Sequence, residues 1–342
     1  MVTIKDVAKR AKVSPGTVSN ALTKKRPVSK ETQQRIHNAI KELGYQPNML
    51  AQSLVARRSQ TLAVVASGLE YYGTSRIIVG IEKAANELGY TLLLTLIADP
   101  SEINLSRALE PLTARRVDGI VWAVPEIGGN HSWITRKRLA ALPPIVFHRM
   151  KPRAGLQVVA IDNRTGAMLA TQHLINQGRR TIGLITGPKN WWETRERRAG
   201  WEQAFERAGL VASASLIVEG DWTAASGEHA ITRLLAQRRD LDAVFASNDQ
   251  MALGAMRMAQ LLGRKIPQDL AIVGFDNIPE SAFFSPPLTT VYQQLIEAGV
   301  ASVNALHRMI EARHDGHANM KPRATFLMPE LIVRESSTPP PR

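Results

Sequence analysis

The chain has no cysteine among its 342 residues. That single absence removes disulfide frameworks, thiolate zinc sites, iron–sulfur clusters and cysteine nucleophiles. No apolar run reaches the roughly 18–20 residues that a bilayer-spanning helix needs. The start, Met1-Val2-Thr3-Ile4-Lys5-Asp6, lacks the apolar core of a signal peptide, so a cytoplasmic protein without membrane contact is expected. A G-x-G-x-x-G fingerprint, a phosphate-binding P-loop and a G-x-S-x-G nucleophile elbow are all missing, which argues against an enzyme. His314-x-x-His317 is the one close histidine pair, in a polar, loop-like stretch that reads as surface rather than metal site. No metal and no cofactor are expected.

Acidic residues are scarce, and where they are scarce is informative. The whole chain carries 43 Lys/Arg against 30 Asp/Glu, a net of +13. Residues 1–60 hold 12 of the bases but only 3 of the acids, a net of +9, and the remaining 282 residues are left with +4. A surplus confined to one small segment suggests a polyanion-binding module on a nearly neutral body. A merely solvated basic face has the same composition.

Helix starts in this segment are marked by side chains that satisfy orphan amides. Thr3 with Asp6 resembles a capping box, opening a helix through Ala11 that turns Ile4, Val7, Ala8 and Ala11 inward. Ser14-Pro15 is an N-cap followed by a favoured first-turn proline, and that second helix runs to about Leu22 with Val18, Ala21 and Leu22 inward. Ser29 caps a third helix carrying Ile36, Ala39, Ile40 and Leu43, which stops at Gly44. The arrangement fits a helix-turn-helix unit and equally a plain three-helix bundle.

The residues themselves separate these options. Thr3-Ile4-Lys5-Asp6-Val7-Ala8, Ala11-x-Val13-Ser14, Thr17-Val18-Ser19, Leu43-Gly44-Tyr45-x-Pro47-Asn48 and Ala51-x-Ser53-Leu54 closely resemble the headpiece of the LacI/GalR family of bacterial transcription regulators. The resemblance implies that the helix over 15–22 enters the major groove, with Pro15, Gly16 and Asn20 at the base-reading positions. Asn20 suits a bidentate pair with adenine. Pro15 and Gly16 offer only shape or methyl contact, a departure from family members with polar residues there. Ser14, Thr17 and Ser19 suit phosphates, and capping is an equal role for Ser14. Residues 47–56 match the family's hinge helix, ordered in the minor groove with Leu54 as its wedge. Read alone, Leu50 and Leu54 are equally linker hydrophobes. The expected division is a headpiece over 1–46, a hinge and linker over 47–60, and a sensor over 61–342.

From Thr61 onward β-branched runs alternate with amphipathic helices. Strands are expected at 62–66, 91–97, 119–124, 145–148, 158–161, 181–186, 216–219, 243–247 and 270–274, with helices ended by Gly89, Gly178, Gly209 and Gly263. This alternation predicts parallel sheets covered by helices. The series is too long for one sheet, and Asp162-Asn163 opens a second run, so two similar α/β lobes are expected with ligand between them at the strands' carboxyl ends.

The body also resembles the same family, whose sensor is similar to periplasmic sugar-binding proteins. The likeness is strongest at Thr186-Gly187-Pro188 through Ala199-Gly200-Trp201, at Gly220-Asp221-Trp222, at Asn248 through Gly254, and at Val273 through Asp276. It places Arg197, Trp222, Asn248 and Asp276 at effector-contacting positions. An Arg fork, a carboxylate, an amide and an indole face together suit a polyhydroxylated ligand such as a sugar. Each also has a structural role open to it: an Arg197–Asp276 ion pair, a helix cap at Asn248, a core position for Trp222. Tyr72, Trp191 and Arg149 fall near strand ends as further lining candidates. The implied function is a homodimeric repressor on near-palindromic operator DNA, controlled by a small effector. A tail with three prolines and no heptad speaks against a tetramerising coiled coil. The rivals are a sugar- or nucleoside-binding protein without a DNA role and an α/β enzyme of sugar metabolism.

Overall fold

The computed structural model describes residues 2–23, 26–45, 58–100, 105–316 and 321–338. They fall into two compact units, Met1–Ser59 and Gln60–Arg342. The first holds helices α1 (Ile4–Ala11), α2 (Pro15–Thr23) and α3 (Lys30–Leu43). Each begins at a local cap. The Thr3 amide and hydroxyl both donate to Asp6 Oδ2 at 2.8 Å. Ser14 Oγ accepts from the Thr17 amide at 3.1 Å, and Ser29 Oγ from the Thr32 amide at 3.3 Å. Lys12 (φ 55°) and Gly44 (φ 61°) turn left-handed to end α1 and α3. Val7, Ala8, Ala11, Val18, Ile36 and Ala39 meet in a small core, with Ala21, Leu22 and Ile40 packed at its edge. The expected hinge helix, Leu54 included, lies outside the described residues, as do His317 and the last four residues.

The second unit contains twelve described strands: β1 (Thr61–Ala66), β2 (Thr91–Leu96), β3 (Gly119–Ala123), β4 (Ile145–His148), β5 (Gln157–Ile161), β6 (Ile182–Thr186), β7 (Ile217–Glu219), β8 (Ala243–Ala246), β9 (Ala271–Asp276), β10 (Thr289–Tyr292), β11 (Ala324–Leu327) and β12 (Glu330–Ile332). Its described helices are α4 (Tyr72–Glu87), α5 (Glu110–Ala114), α6 (Arg136–Ala140), α7 (Asn163–Asn176), α8 (Trp192–Arg207), α9 (Ala224–Gln237), α10 (Asp249–Leu261) and α11 (Leu295–His314). The strands form two six-stranded sheets, ordered β11-β5-β4-β3-β1-β2 and β12-β10-β9-β8-β6-β7. Every pairing is parallel except β12 on β10. Strands such as β3, β5 and β6 are buried along their whole length, because helices cover both faces.

The two sheets repeat one order, but the chain does not finish one lobe before starting the other. It crosses after β5, returns after β10 so that α11 packs on α4 and on β3–β5, and crosses again between β11 and β12. Strands β10, β11 and β12 are additions to the nine expected. The return of α11 depends on close approach: a Cβ on Gly80 would lie 2.0 Å from Ile296 O, and one on Gly299 would lie 2.2 Å from Ile77 O. Glycine at both positions lets the α4 and α11 backbones touch. No helix among the described residues is long and apolar enough to cross a membrane.

Candidate functional site: an interlobe cleft and a helical headpiece face

A cavity of about 280 Å³ lies between the two lobes, close to the lower end of ligand-pocket sizes. Its walls come from the carboxyl ends of strands in both sheets: His148 and Arg149 at β4, Ile161 and Asn163 at β5, Trp222 beyond β7, Asn248 beyond β8, Asp276 on β9 and Gln293 beyond β10. This is the position open α/β sheets favour for ligands. Tyr72 at the start of α4, and Trp191 with Arg197 at and within α8, complete the set. The structure thus brings together all seven effector candidates named from the sequence.

Three of those seven have unusual backbones. Arg149 (φ 61°), Trp222 (φ 75°) and Asp276 (φ 117°) are non-glycine residues in the left-handed region. Such conformations cost on the order of 1–3 kcal/mol each and persist only where surrounding contacts impose them. The Trp222 ring lies directly against the Gly187 backbone, where a Cβ would stand 2.0 Å from its Cζ2 atom. The turn after Asp276 is held by buried Asp249, which accepts from the Ile278 amide at 2.9 Å and from Thr290 Oγ1 at 2.5 Å.

The polar groups form one network. Arg197 is buried; its Nε donates to Asn163 Oδ1 at 2.8 Å, its Nη1 to the Ser247 carbonyl, and its Nη2 to Gln293 Oε1 at 3.5 Å. Its Nη1 stands 4.0 Å from Asp276 Oδ1, and its Cζ lies 3.8 Å from the Phe275 ring centroid. Gln293 Nε2 donates to Asp276 Oδ1. Burial pushes the Asp276 carboxyl up to about 6, against the opposing pull of Arg197. Burial, then the charge of Asp276, holds Asp249 well above the usual carboxylate range. Burial lowers His148 to about 3, so its imidazole is neutral at physiological pH.

The structural roles left open by the sequence coexist with cleft positions. Asn248 Oδ1 accepts from the Met251 amide at 2.9 Å, capping α10, while its Nδ2 donates to the Trp222 carbonyl at 2.9 Å. Trp222 is only 8% exposed, and its ring meets that of Trp191 at 65° with centroids 5.6 Å apart. Two indoles thus form a corner. Sequence reasoning missed Glu193, Asn163 and Gln293. Glu193 precedes Arg197 by four residues on α8, a same-face spacing that offered a signal. Asn163 opens the second α/β run, which the sequence marks as a boundary but not as a cleft position, and Gln293 sits at a chain crossing that no local pattern marks.

In the headpiece, Ser14, Pro15 and Gly16 are exposed at the first turn of α2, and Thr17, Ser19 and Asn20 are half-buried on the same helix. The Ser14 hydroxyl is engaged as a cap and lies 2.9 Å from the Thr17 hydroxyl.

A helix-turn-helix unit joined to a two-lobed α/β domain with an interlobe cleft defines a class of ligand-responsive DNA-binding regulators. Comparison with known proteins agrees in both parts. Residues 3–48 match the model for bacterial regulatory proteins of the lacI family, and residues 171–337 match a periplasmic binding protein-like domain. The HTH-type transcriptional repressor PurR of Haemophilus influenzae is 34% identical over 337 residues, 98% of either chain. A lac repressor dimer bound to operator and the anti-inducer ONPF superposes with a TM-score of 0.87 at 30% identity, covering 98% of this chain and 99% of that one. The transcriptional regulator CelR in complex with cellobiose gives 0.73 at 32% identity, covering 98% and 100%. The chain belongs to the LacI family: it is a DNA-binding transcriptional regulator with a ligand-binding regulatory domain.

Proposed function

We propose that the protein is a homodimeric, non-enzymatic repressor that binds a near-palindromic operator in the cytoplasm and is controlled by a small polyhydroxylated effector, a sugar or sugar derivative, held in the interlobe cleft. The observation that carries this reading is the convergence of Arg197, Asp276, Asn248 and Trp222, from four separate strand–helix units, on one cavity. The indole corner, its rings inclined at 65°, favours a puckered sugar ring with one apolar face over a planar base, which stacks best between parallel rings. The headpiece occupies 1–46, a hinge and linker 47–60, and the sensor 61–342. Pro15, Gly16 and Asn20 face base edges, Ser14, Thr17 and Ser19 face phosphates, and Leu54 wedges the minor groove.

Coupling between ligand and lobe arrangement has a physical route. The segment that lines the cleft at Trp191 and Glu193 also pairs with the opposite lobe. Trp192 N donates to Glu126 O at 2.9 Å, Gly128 N donates to Asn190 O at 3.1 Å, and Arg149 Nε donates to Glu193 Oε1 at 2.8 Å. A ligand that shifts this segment shifts one lobe against the other, and through the hinge the paired headpieces. A self-associating face is offered by exposed Leu253, Leu261 and Phe283. Gln260 Nε2 donates to Ser285 O at 2.7 Å and brings α10 beside the Phe283 segment. The test is recovery of specific duplexes from genomic fragments, followed by a thermal-shift screen of mono- and disaccharides and nucleosides. A sugar that shifts both the melting midpoint and the operator affinity meets the proposal. A protein that selects no sequence from the fragments contradicts it.

A further inference from the structure

The cleft has an unusual charge balance. Its lining contains Arg149 and Arg197 against Glu70, Glu193 and Asp276. Both guanidinium groups already hold protein acceptors and face carboxylates. Arg197 is spent on Asn163, the Ser247 carbonyl, Gln293 and Asp276. Arg149 donates through Nε to Glu193 Oε1 at 2.8 Å and through Nη1 to Thr74 Oγ1 at 2.5 Å, with its Cζ 5.5 Å from the Trp191 ring centroid. The Glu193 side chain is 7% exposed, and that of Arg149 13%. The second Glu193 oxygen, Oε2, is buried and has no hydrogen-bond partner among the described residues. A buried acceptor without a donor is costly until one is supplied, and a ligand hydroxyl is a donor where a phosphate or carboxylate oxygen is not.

We infer that Glu193 sets the charge class of the effector: by pairing with Arg149 it cancels the guanidinium nearest the indole corner, so that the cleft takes an uncharged polyhydroxylated ring and turns away phosphorylated or carboxylated ones. This rests on the cleft being the effector site. It adds to that reading a residue whose neutral isostere should abolish the selectivity. An isosteric Glu193→Gln change removes one negative charge and leaves Arg149 without its hydrogen-bonded counter-ion beside the cavity, where a dianion would find both charge and donors. Neutral His148 adds no positive charge of its own at physiological pH.

The test uses the full chain and two kinds of probe. In the first arm, melting midpoints are followed during titration with inorganic phosphate at constant ionic strength, with chloride as the control. The wild type should show no saturable stabilisation, Glu193→Gln should acquire it, and the double variant Glu193→Gln/Arg149→Met should lose it again. Saturable phosphate binding by the wild type that Arg149→Met abolishes overturns the assignment, as does a Glu193→Gln protein that melts cooperatively yet gains none. In the second arm, affinities are compared for matched pairs, glucose with glucose 6-phosphate and cellobiose with cellobionate. The neutral member should bind at least tenfold more tightly to the wild type, and the ratio should collapse in Glu193→Gln. An acidic member that binds the wild type more tightly than its neutral partner refutes the inference without any variant. Sugar binding that is untouched by Trp222→Ala would move the effector out of this cleft, a failure of the underlying reading; failure of the phosphate arm alone rejects only the role of Glu193.

Discussion

Replacing Asp276 with asparagine should make the protein more stable while destroying its response to effector. The carboxyl ends β9 at φ 117°, is 8% exposed, and is raised by burial from 3.8 to about 6. At about 1.4 kcal/mol per pH unit, holding it ionised at neutral pH costs about 3 kcal/mol. Asparagine keeps the oxygen that accepts from Gln293 Nε2 and removes the charge, which also relieves the neighbouring Asp249. Because the folded value lies above the unfolded one, the folded state binds the proton more tightly, and the wild type gains stability as pH falls through about 6 toward about 4. The variant lacks that gain. The stability gap should therefore be full above pH 7, fall to about half by pH 5, and vanish below about pH 4. Urea denaturation of both proteins at pH 7.5, 6.0 and 5.0 measures it directly, and near neutral pH about 1–3 kcal/mol should appear as a midpoint higher by roughly 0.3–1 M urea. An Asp276→Asn protein less stable than wild type at pH 7.5, or a gap independent of pH, would refute the reasoning. Either result would mean that Arg197 and Gln293 stabilise the ionised carboxylate at least as much as burial opposes it.

Three further outcomes are expected. Asn20→Ala should weaken operator binding by about 1–3 kcal/mol and relax selectivity at one base step while leaving the helical signal intact; gel shifts on a site randomised at each position read this out, and uniform weakening would reassign Asn20 to the backbone. Phe283, 88% exposed beside α10, should anchor self-association, so Phe283→Asp is expected to lower the sedimenting mass from dimer toward monomer with no loss of melting cooperativity. Gly80→Ala places a Cβ 2.0 Å from Ile296 O and should destabilise the sensor by more than about 2 kcal/mol through overpacking of α4 against α11; an unchanged urea midpoint would show that the two helices separate without penalty.

The headpiece was legible because its signals are local. Thr3 with Asp6, Ser14 with Thr17, Ser29 with Thr32 and Gly44 each act within one helical turn, so reading side chains in order locates the helices. The β-branched runs were legible for a related reason, since a parallel strand covered on both faces is continuously apolar. The interleaving of the lobes was not. The return of α11 to the first sheet is decided by contacts more than two hundred residues apart in sequence, such as Gly80 against Ile296. Gln293 meets Asp276 and Asn163 meets Arg197 across neighbouring elements, 17 and 34 residues apart in sequence, a separation beyond the reach of a reading of motifs. Nor does any glycine mark the left-handed backbone at Trp222 or Asp276; tertiary packing imposes it.

The central claim is that one cleft governs one DNA-binding surface. Its most direct test is a reciprocal titration with an operator selected from genomic fragments and a sugar identified by thermal shift. The account predicts that saturating sugar changes operator affinity several-fold, that saturating operator changes sugar affinity by the same factor, and that Trp222→Ala removes both effects while operator binding persists. Operator affinity indifferent to a sugar bound in the cleft, or sugar affinity indifferent to operator, would contradict it.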